Sequence, residues 1–258
     1  MLLAIDSGNT NTLFAVFDGD TRRGEWRAST NPNRTADEYA VWLTQLMSLV
    51  KLTPTDIKAA VIANVVPATA YTLRTLCHRY FDCMPMVVGD EGVDIGIAVK
   101  VPNPAEVGAD RLVNAVAAHK RYPGVDKIVV DFGTATTFDV VAAEGSYRGG
   151  VIAPGVNLSL EALYMAAAKL PGIGIRRPPA VIGTGTVPAM QSGVYWGYVG
   201  LVEGLVNRIK QEFGKPMTVV GTGGLAALFA DATDAIDGVD PDLTIFGLLE
   251  IYRRNVRA

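Results

Sequence analysis

The sequence predicts an α/β protein built from two related lobes. Three observations carry that expectation. Short apolar strands alternate with amphipathic helices, one strand-turn-strand unit recurs at an offset of 125 residues, and 258 residues, 49% of them hydrophobic, suffice for a large core.

The first element is an apolar strand, Leu2 to Ile5, followed by the polar turn Asp6-Ser7-Gly8-Asn9-Thr10-Asn11-Thr12 and a second strand, Leu13 to Phe17, ending at Asp18-Gly19-Asp20. That order reads as a β-hairpin with an enlarged, hydrogen-bond-rich loop. Lys127 to Val141 repeats the pattern: at the same offset Asp6 falls on Asp131, Gly8 on Gly133, Thr12 on Thr137 and Val16 on Val141. Each lobe is therefore expected to open with one copy of a duplicated unit. Between the copies, Thr35 to Val50 sets Tyr39, Trp42, Leu43, Leu46, Met47 and Val50 at helical spacing. Ala59 to Val66 reads as a strand, Thr69 to Tyr80 as a helix, and Pro85 to Val88 as a strand. After the second hairpin come a helix from Asn157 to Lys169, a Gly/Pro-rich loop from Pro171 to Pro188, and a long helix from about Ala189 to Phe213. Gly193, Gly197, Gly200 and Gly204 each cost that helix about 1 kcal/mol, which points to close packing against another helix or another chain. Met217 to Val220 is a strand, Gly221-Thr222-Gly223-Gly224 a tight turn, Leu225 to Ala230 a helix, and Leu243 to Arg257 a closing helix whose Arg253, Arg254 and Arg257 suit a helix C-terminus. The lobes are expected at 1–120 and 121–258, with the last helix able to pack back on the first.

Composition narrows the function classes. With 23 basic against 26 acidic residues the net charge is −3, the wrong sign for binding nucleic acid by charge alone. Cys77, Cys83 and His78 are too few for a disulfide framework or a structural zinc site and read as buried thiols with a neighbouring histidine. Asp6 interrupts the apolar start and no basic residue precedes it, so the sequence reads as neither signal peptide nor membrane span. A cytoplasmic protein without a membrane partner is expected.

Glycine-rich turns recur, yet no stretch reads G-x-x-x-x-G-K-[ST] or completes G-x-G-x-x-G. A P-loop enzyme and a dinucleotide Rossmann site are thereby disfavoured. What remains is a different nucleotide geometry, in which N–H groups and hydroxyls of the two hairpin loops donate to phosphates and a helix after Gly224 faces an anion or nucleoside. Asp6 and Asp131 would place carboxylates for cations, or each closes its own turn; two in register favour the former. In Asn103-Pro104-Ala105-Glu106-Val107-Gly108-Ala109-Asp110-Arg111, a helix begins at Asn103-Pro104 or is capped by Asp110. Asp110 could instead be a general base, with Arg111 a fork for a substrate carboxylate. His119 reads as an exposed helix-end residue, and no spacing argument singles out Glu161 or Glu203.

Taken together, Asp6 to Asn11, Gly108 to Arg111, Asp131 to Thr137, Gly149 to Gly155, Met190-Gln191-Ser192-Gly193 and Thr222-Gly223-Gly224 resemble the type III pantothenate kinases, in order and nearly to Leu249. The resemblance implies two ribonuclease-H-like lobes of the acetate and sugar kinase/Hsp70/actin superfamily with an ATP cleft between them. It also implies a homodimer and ATP-dependent phosphorylation of pantothenate, the first step toward coenzyme A. By the same resemblance Asp6, Ser7, Gly8, Asn9, Thr10, Asn11, Thr12, Leu13 and Thr134 bind ATP, with Asp6 toward Mg²⁺. Gly108, Ala109, Asp110, Arg111 and Thr186 bind pantothenate, Asp110 takes the hydroxyl proton, and Asp131 holds a monovalent cation, K⁺ or NH₄⁺. Three positions depart from the family: Ser7 replaces a hydrophobic residue, Thr184-Gly185 replaces Lys-Asn before Thr186, and Val101 replaces an aromatic. The alternatives are a noncatalytic nucleotide-binding regulator resembling the Bvg accessory factor, and a kinase of this fold acting on another small alcohol or carboxylate.

Overall fold

A computed structural model describes residues 1–166 and 172–256. The expected ends of two helices, at Lys169 and Arg257, and the first loop residue, Pro171, lie outside the described residues. The chain divides into two compact units: unit 1 holds 1–98, 102–120 and the residues described from 243 onward, and unit 2 holds the described residues of 99–101 and 121–242.

Unit 1 is organised by its first strand. Leu2, Leu3, Ala4 and Ile5 are almost wholly buried, as a strand covered on both faces requires. This strand, β1 (Leu2–Ser7), pairs antiparallel with β2 (Asn11–Asp18), which pairs antiparallel with β3 (Thr21–Ser29). After α1 (Ala36–Leu49) the chain adds β4 (Ala59–Asn64), α2 (Ala70–Phe81) and β5 (Pro85–Val87), giving the order β3-β2-β1-β4-β5 with β4 and β5 parallel to β1. Helix α1 starts at a capping box: the Thr35 N–H donates to Glu38 Oε2 at 2.7 Å, and the Glu38 N–H donates to Thr35 Oγ1 at 3.2 Å. Leu3, Ile5, Phe14 and Val16 face α1 and α2. Leu2, Ala4, Ala15 and Phe17 face helices formed by residues 109–121 and 243–256.

The same strand order recurs in unit 2, while two of the helices that follow in the chain, at 109–121 and 243–256, pack in unit 1. A two-residue strand, β6 (Ala98–Val99), precedes α3 (Ala109–Arg121), and then β7 (Lys127–Phe132), β8 (Ala135–Val141) and β9 (Ser146–Pro154) form an antiparallel meander. Helices α4 (Val156–Ala166) and α5 (Thr186–Phe213) lead to β10 (Thr218–Gly223), α6 (Ala226–Ala230), β11 (Gly238–Val239) and α7 (Leu243–Val256). The sheet order β9-β8-β7-β10-β11 matches β3-β2-β1-β4-β5, with β6 beside β9. Each unit thus has the ribonuclease-H-like sheet that the resemblance implies. Tyr195, Tyr198, Val199, Val202 and Val206 of α5 cover one face, with Phe132 stacked on Phe229 at 5.3 Å.

Four expectations need correction. The expected hairpins are three-stranded meanders, because β3 and β9 bury few side chains and join their sheets through backbone pairing. The first loop is only Gly8 to Thr10, since the β1–β2 ladder continues to Ser7 opposite Thr12. The second turn is shorter still, Gly133-Thr134, and Phe132 lies opposite Thr136. Thr12 and Val16 therefore correspond to Thr136 and Val140, whereas the uniform offset pairs them with Thr137 and Val141. Helix α5 begins at Thr186, before Ala189, because Pro188 fits a first helical turn, where no intrahelical N–H is needed.

Helix α7 crosses α3 at Gly247: a Cβ there would lie 2.2 Å from the Val113 carbonyl oxygen, so only glycine permits the approach. Thr244 Oγ1 donates to Asn114 Oδ1 at 2.7 Å in the same contact.

Candidate active site

In unit 1, Asp6 is the fifth residue of β1, partly buried and opposite Leu13 of β2. Asn9, Thr10 and Asn11 are exposed, while Ser7 and Thr12 are fully buried and turn their hydroxyls toward each other at 3.4 Å. The Gly8 N–H donates to the Asn11 carbonyl at 3.0 Å and closes the loop.

The segment Gly108 to Arg111 starts α3. The Leu112 N–H donates to the Gly108 carbonyl at 3.2 Å, which puts Gly108 at the cap position and Asp110 in the first turn. Asp110 is therefore not the cap, and Pro104–Glu106 forms only a short 3₁₀ turn ahead of the helix. A Cβ on Gly108 would lie 2.6 Å from Asp110 Oδ1 and 3.6 Å from Val65 Cγ1. Val65 in turn donates its N–H to the Ser7 carbonyl at 3.1 Å. The end of β1, the residue after β4 and the start of α3 thus meet, bringing the Gly8–Thr10 loop and the Asp110 turn to one edge of unit 1.

Asp110 Oδ1 accepts from the Arg111 N–H at 2.7 Å. Burial pushes its carboxyl above the ordinary carboxylate range, against the opposing pull of that N–H and of the Arg111 charge. A partly dehydrated carboxylate with a raised proton affinity at a helix N-terminus can accept a proton from an alcohol.

In unit 2, Asp131 is the fifth residue of β7, the place Asp6 holds in β1. The end of β10 crowds it: a Cβ on Gly223, whose φ is +88°, would lie 2.5 Å from Asp131 Oδ1 and 2.7 Å from the Phe132 carbonyl oxygen. Gly155 is equally constrained, with the Thr134 and Gly133 carbonyls 2.2 and 2.7 Å from where its Cβ would stand. Thr134 is exposed at the tip of the turn, and Thr186 is exposed as the first residue of α5. The preceding loop is tied to α5 by Ser192 Oγ, which donates to the Val181 carbonyl.

Several residues have other employment. Glu203 accepts from Thr233 Oγ1 at 2.7 Å, Glu161 is exposed on α4, and Cys77 is buried, its thiol pushed far up by desolvation. His119 is half-buried rather than exposed and lines a cavity of about 130 Å³ in unit 1 with Ile97, Val116 and Glu250. Among the described residues no group of three or more His, Cys, Asp or Glu could hold a metal ion by itself, and no helix is long and apolar enough to cross a membrane. Sequence reasoning missed Thr30 and Val65. The duplication could have pointed to Thr30, which lies at an offset of 125 from Gly155 of the Gly149 to Gly155 motif.

A family model described as type III pantothenate kinase matches residues 2–208. The chain belongs to the type III pantothenate kinase family. Relatives bearing that name are 68% identical over 255 residues in Paramagnetospirillum magneticum, covering 99% of this chain and 98% of that one, and 68% identical over 255 residues in Rhodospirillum rubrum, covering 99% of each. A third, from Caulobacter vibrioides, is 58% identical over 260 residues and covers 100% and 99%. Among solved structures, a protein described as a Baf-family transcriptional activator from Campylobacter jejuni aligns with a TM-score of 0.62 at 17% identity, covering 99% of this chain and 100% of that one. The activator of 2-hydroxyisocaproyl-CoA dehydratase from Clostridium difficile, with bound ADPNP, aligns at 0.55 and 12% identity, covering 100% and 97%. At such identities these structures show the shared fold alone.

The Asp110 environment sets a sign for stability against pH. A carboxyl whose folded-state pKa is raised contributes stability that is present below its unfolded value and lost as pH rises through its folded value. Asp110→Asn, neutral throughout, should match the wild-type unfolding midpoint near about pH 3 and exceed it near about pH 7. A midpoint difference that stays constant across that range would show that burial does not raise this carboxyl.

Proposed function

We infer that the chain is a pantothenate kinase that transfers the γ-phosphoryl group of ATP to the primary hydroxyl of pantothenate. The observation that carries the reading is the meeting of the Gly8–Thr10 loop with the half-buried Asp110 carboxyl at one edge of unit 1. The loop Asp6 to Leu13 holds the ATP phosphates. Because the Ser7 and Thr12 hydroxyls point inward, those two positions serve through their backbone. Gly108, Ala109, Asp110 and Arg111 bind pantothenate, with Arg111 suited to its carboxylate. Asp110 orients the alcohol and takes its proton as the oxygen attacks phosphorus in line with the leaving ADP. Thr134 contacts ATP and Thr186 pantothenate.

Asp6 offers a carboxylate to Mg²⁺. Asp131 Oδ1 and the Phe132 carbonyl, drawn together at Gly223, are the oxygen donors a hard monovalent cation such as K⁺ or NH₄⁺ takes. Cations at these positions would supply positive charge beside the phosphates as negative charge shifts to the leaving group. The functional lobes of this reading are 1–120 and 121–258, with α7 returned to the first lobe; the α7–α3 crossing at Gly247 supports the return. The location is cytoplasmic. The assembly is a homodimer through α5, where a Cβ on Gly193, Gly197 or Gly200 would meet nothing within 4 Å in this chain, so a second chain can approach closely.

A coupled ADP-release assay across pantothenate, sugars and acetate should give turnover with pantothenate alone. Turnover with none of them would favour a noncatalytic regulator, and turnover with another acceptor would reassign the substrate. Asp110→Asn should lower kcat by about 10²-fold, the low end of general-base effects, because the amide still orients the hydroxyl; a loss of only a few-fold would reject Asp110 as the base. Replacing K⁺ by a bulky organic cation should abolish turnover, and unchanged rates would remove the role given to Asp131. Light scattering should give twice the chain mass, against which a fully active monomer would count.

A further inference from the structure

The Gly8–Thr10 loop is held by a residue outside it. Thr30, just past the end of β3, donates its N–H to the Thr10 carbonyl at 2.9 Å and its hydroxyl to the Gly8 carbonyl at 2.6 Å. Both carbonyls of the loop's end residues are therefore turned toward Thr30. In a trans peptide the C=O and the following N–H point in opposite directions, so the Asn9 N–H is turned to the side away from Thr30.

The hydroxyl behind this contact has a fixed direction. Thr30 has one proton and gives it to Gly8, so across the 2.9 Å contact between Thr12 Oγ1 and Thr30 Oγ1 the donor is Thr12. Thr69 gives its own proton to the Val66 carbonyl at 2.9 Å, so the single proton of Ser7 serves Thr69 Oγ1 at 3.2 Å, and Ser7 Oγ packs against Thr12 Oγ1 at 3.4 Å. Ser7, Thr12 and Thr69 are each at most 1% exposed, so these hydroxyls are shielded from water.

The duplicate supplies a built-in control. In unit 2 the positions of Ser7, Thr12 and Thr30 are held by Phe132, Thr136 and Gly155. The backbone half of the device survives, with the Gly155 N–H donating to the Thr134 carbonyl at 3.1 Å. The side-chain half does not: Gly155 has no hydroxyl, Phe132 stacks on Phe229, and the buried Thr136 Oγ1 has no hydrogen-bond partner. Hydroxyl bracing is thus confined to the copy whose loop carries the extra residue.

We propose that Thr30 is a positioning residue of the kinase, with Thr12 behind it, and that it sets the Gly8–Thr10 loop in the orientation that presents its Asn9 N–H to the phosphates of ATP. The proposal rests on the reading of this loop as the phosphate-binding loop. Nothing in it requires Thr30 to touch a ligand.

Thr30→Val keeps the shape and removes the hydroxyl, and Thr30→Ser keeps the hydroxyl. The valine variant should raise the KM for ATP about tenfold, with the KM for pantothenate and the unfolding midpoint near wild type, and the serine variant should restore ATP affinity. A purely structural role would lower the midpoint and leave the ATP KM unmoved, which would overturn the proposal. Should Thr30→Val fail to fold, Thr12→Val removes the hydroxyl that donates to Thr30 and should raise the ATP KM about threefold; an unchanged value would overturn the proposal equally. Amide NMR of the wild type with Mg·ADP separates this from the underlying reading. Shifts at Gly8, Asn9 and Thr10 support the loop as the phosphate site whatever the variants do, whereas unmoved amides reject that site and the proposal together.

Discussion

The arrangement depends on the burial of β1 and β7. Leu2 to Ile5 and Ile128 to Val130 are at most 5% exposed, so these stretches take apolar side chains. An unpaired charge there would carry a desolvation cost of several kcal/mol. Both strands admit an acidic charge at the fifth residue, Asp6 and Asp131, which are partly exposed. At the other end of β7, Lys127 is buried but paired: its ammonium donates to the Val125 carbonyl at 2.7 Å, and burial lowers its proton affinity. Polar chemistry is thereby concentrated at the same end of each central strand.

Around those ends, glycine lets oxygen atoms crowd. Gly108 admits the Asp110 carboxylate, Gly155 the carbonyls of the second turn, and Gly223 the Asp131 carboxylate with the Phe132 carbonyl. A methyl group at any of the three would stand within 3 Å of oxygen. Phosphoryl transfer is accelerated chiefly by fixed dipoles and charges that need no rearrangement as the reaction proceeds. Close packing of oxygens against backbone, with Thr30 holding the Gly8–Thr10 loop in unit 1, is a way to obtain such fixity.

Much of this was legible in the sequence. The central strands were readable because a strand buried on both faces is an unbroken apolar run, and α1 because its 3-4 spacing is unambiguous. Edge strands were not: Thr21 to Ser29 buries only Ala28 and joins the sheet through backbone hydrogen bonds that leave no trace in composition. The duplication was readable, but its register slips by one residue at the turn, where two threonines in a row made the uniform offset look exact. Asp110 stood out through the motif around it, while its place within the first turn depended on the Gly108 carbonyl. Thr30 lies 22 residues from Gly8, and no local pattern couples them.

The central claim is direct transfer of phosphate from ATP to pantothenate, without a phosphorylated enzyme. Its most direct test uses ATP made chiral at the γ-phosphorus with oxygen isotopes, followed by stereochemical analysis of the product. A single in-line displacement predicts 4'-phosphopantothenate with inverted configuration. Retained configuration, or no phosphorylated pantothenate, would contradict the account.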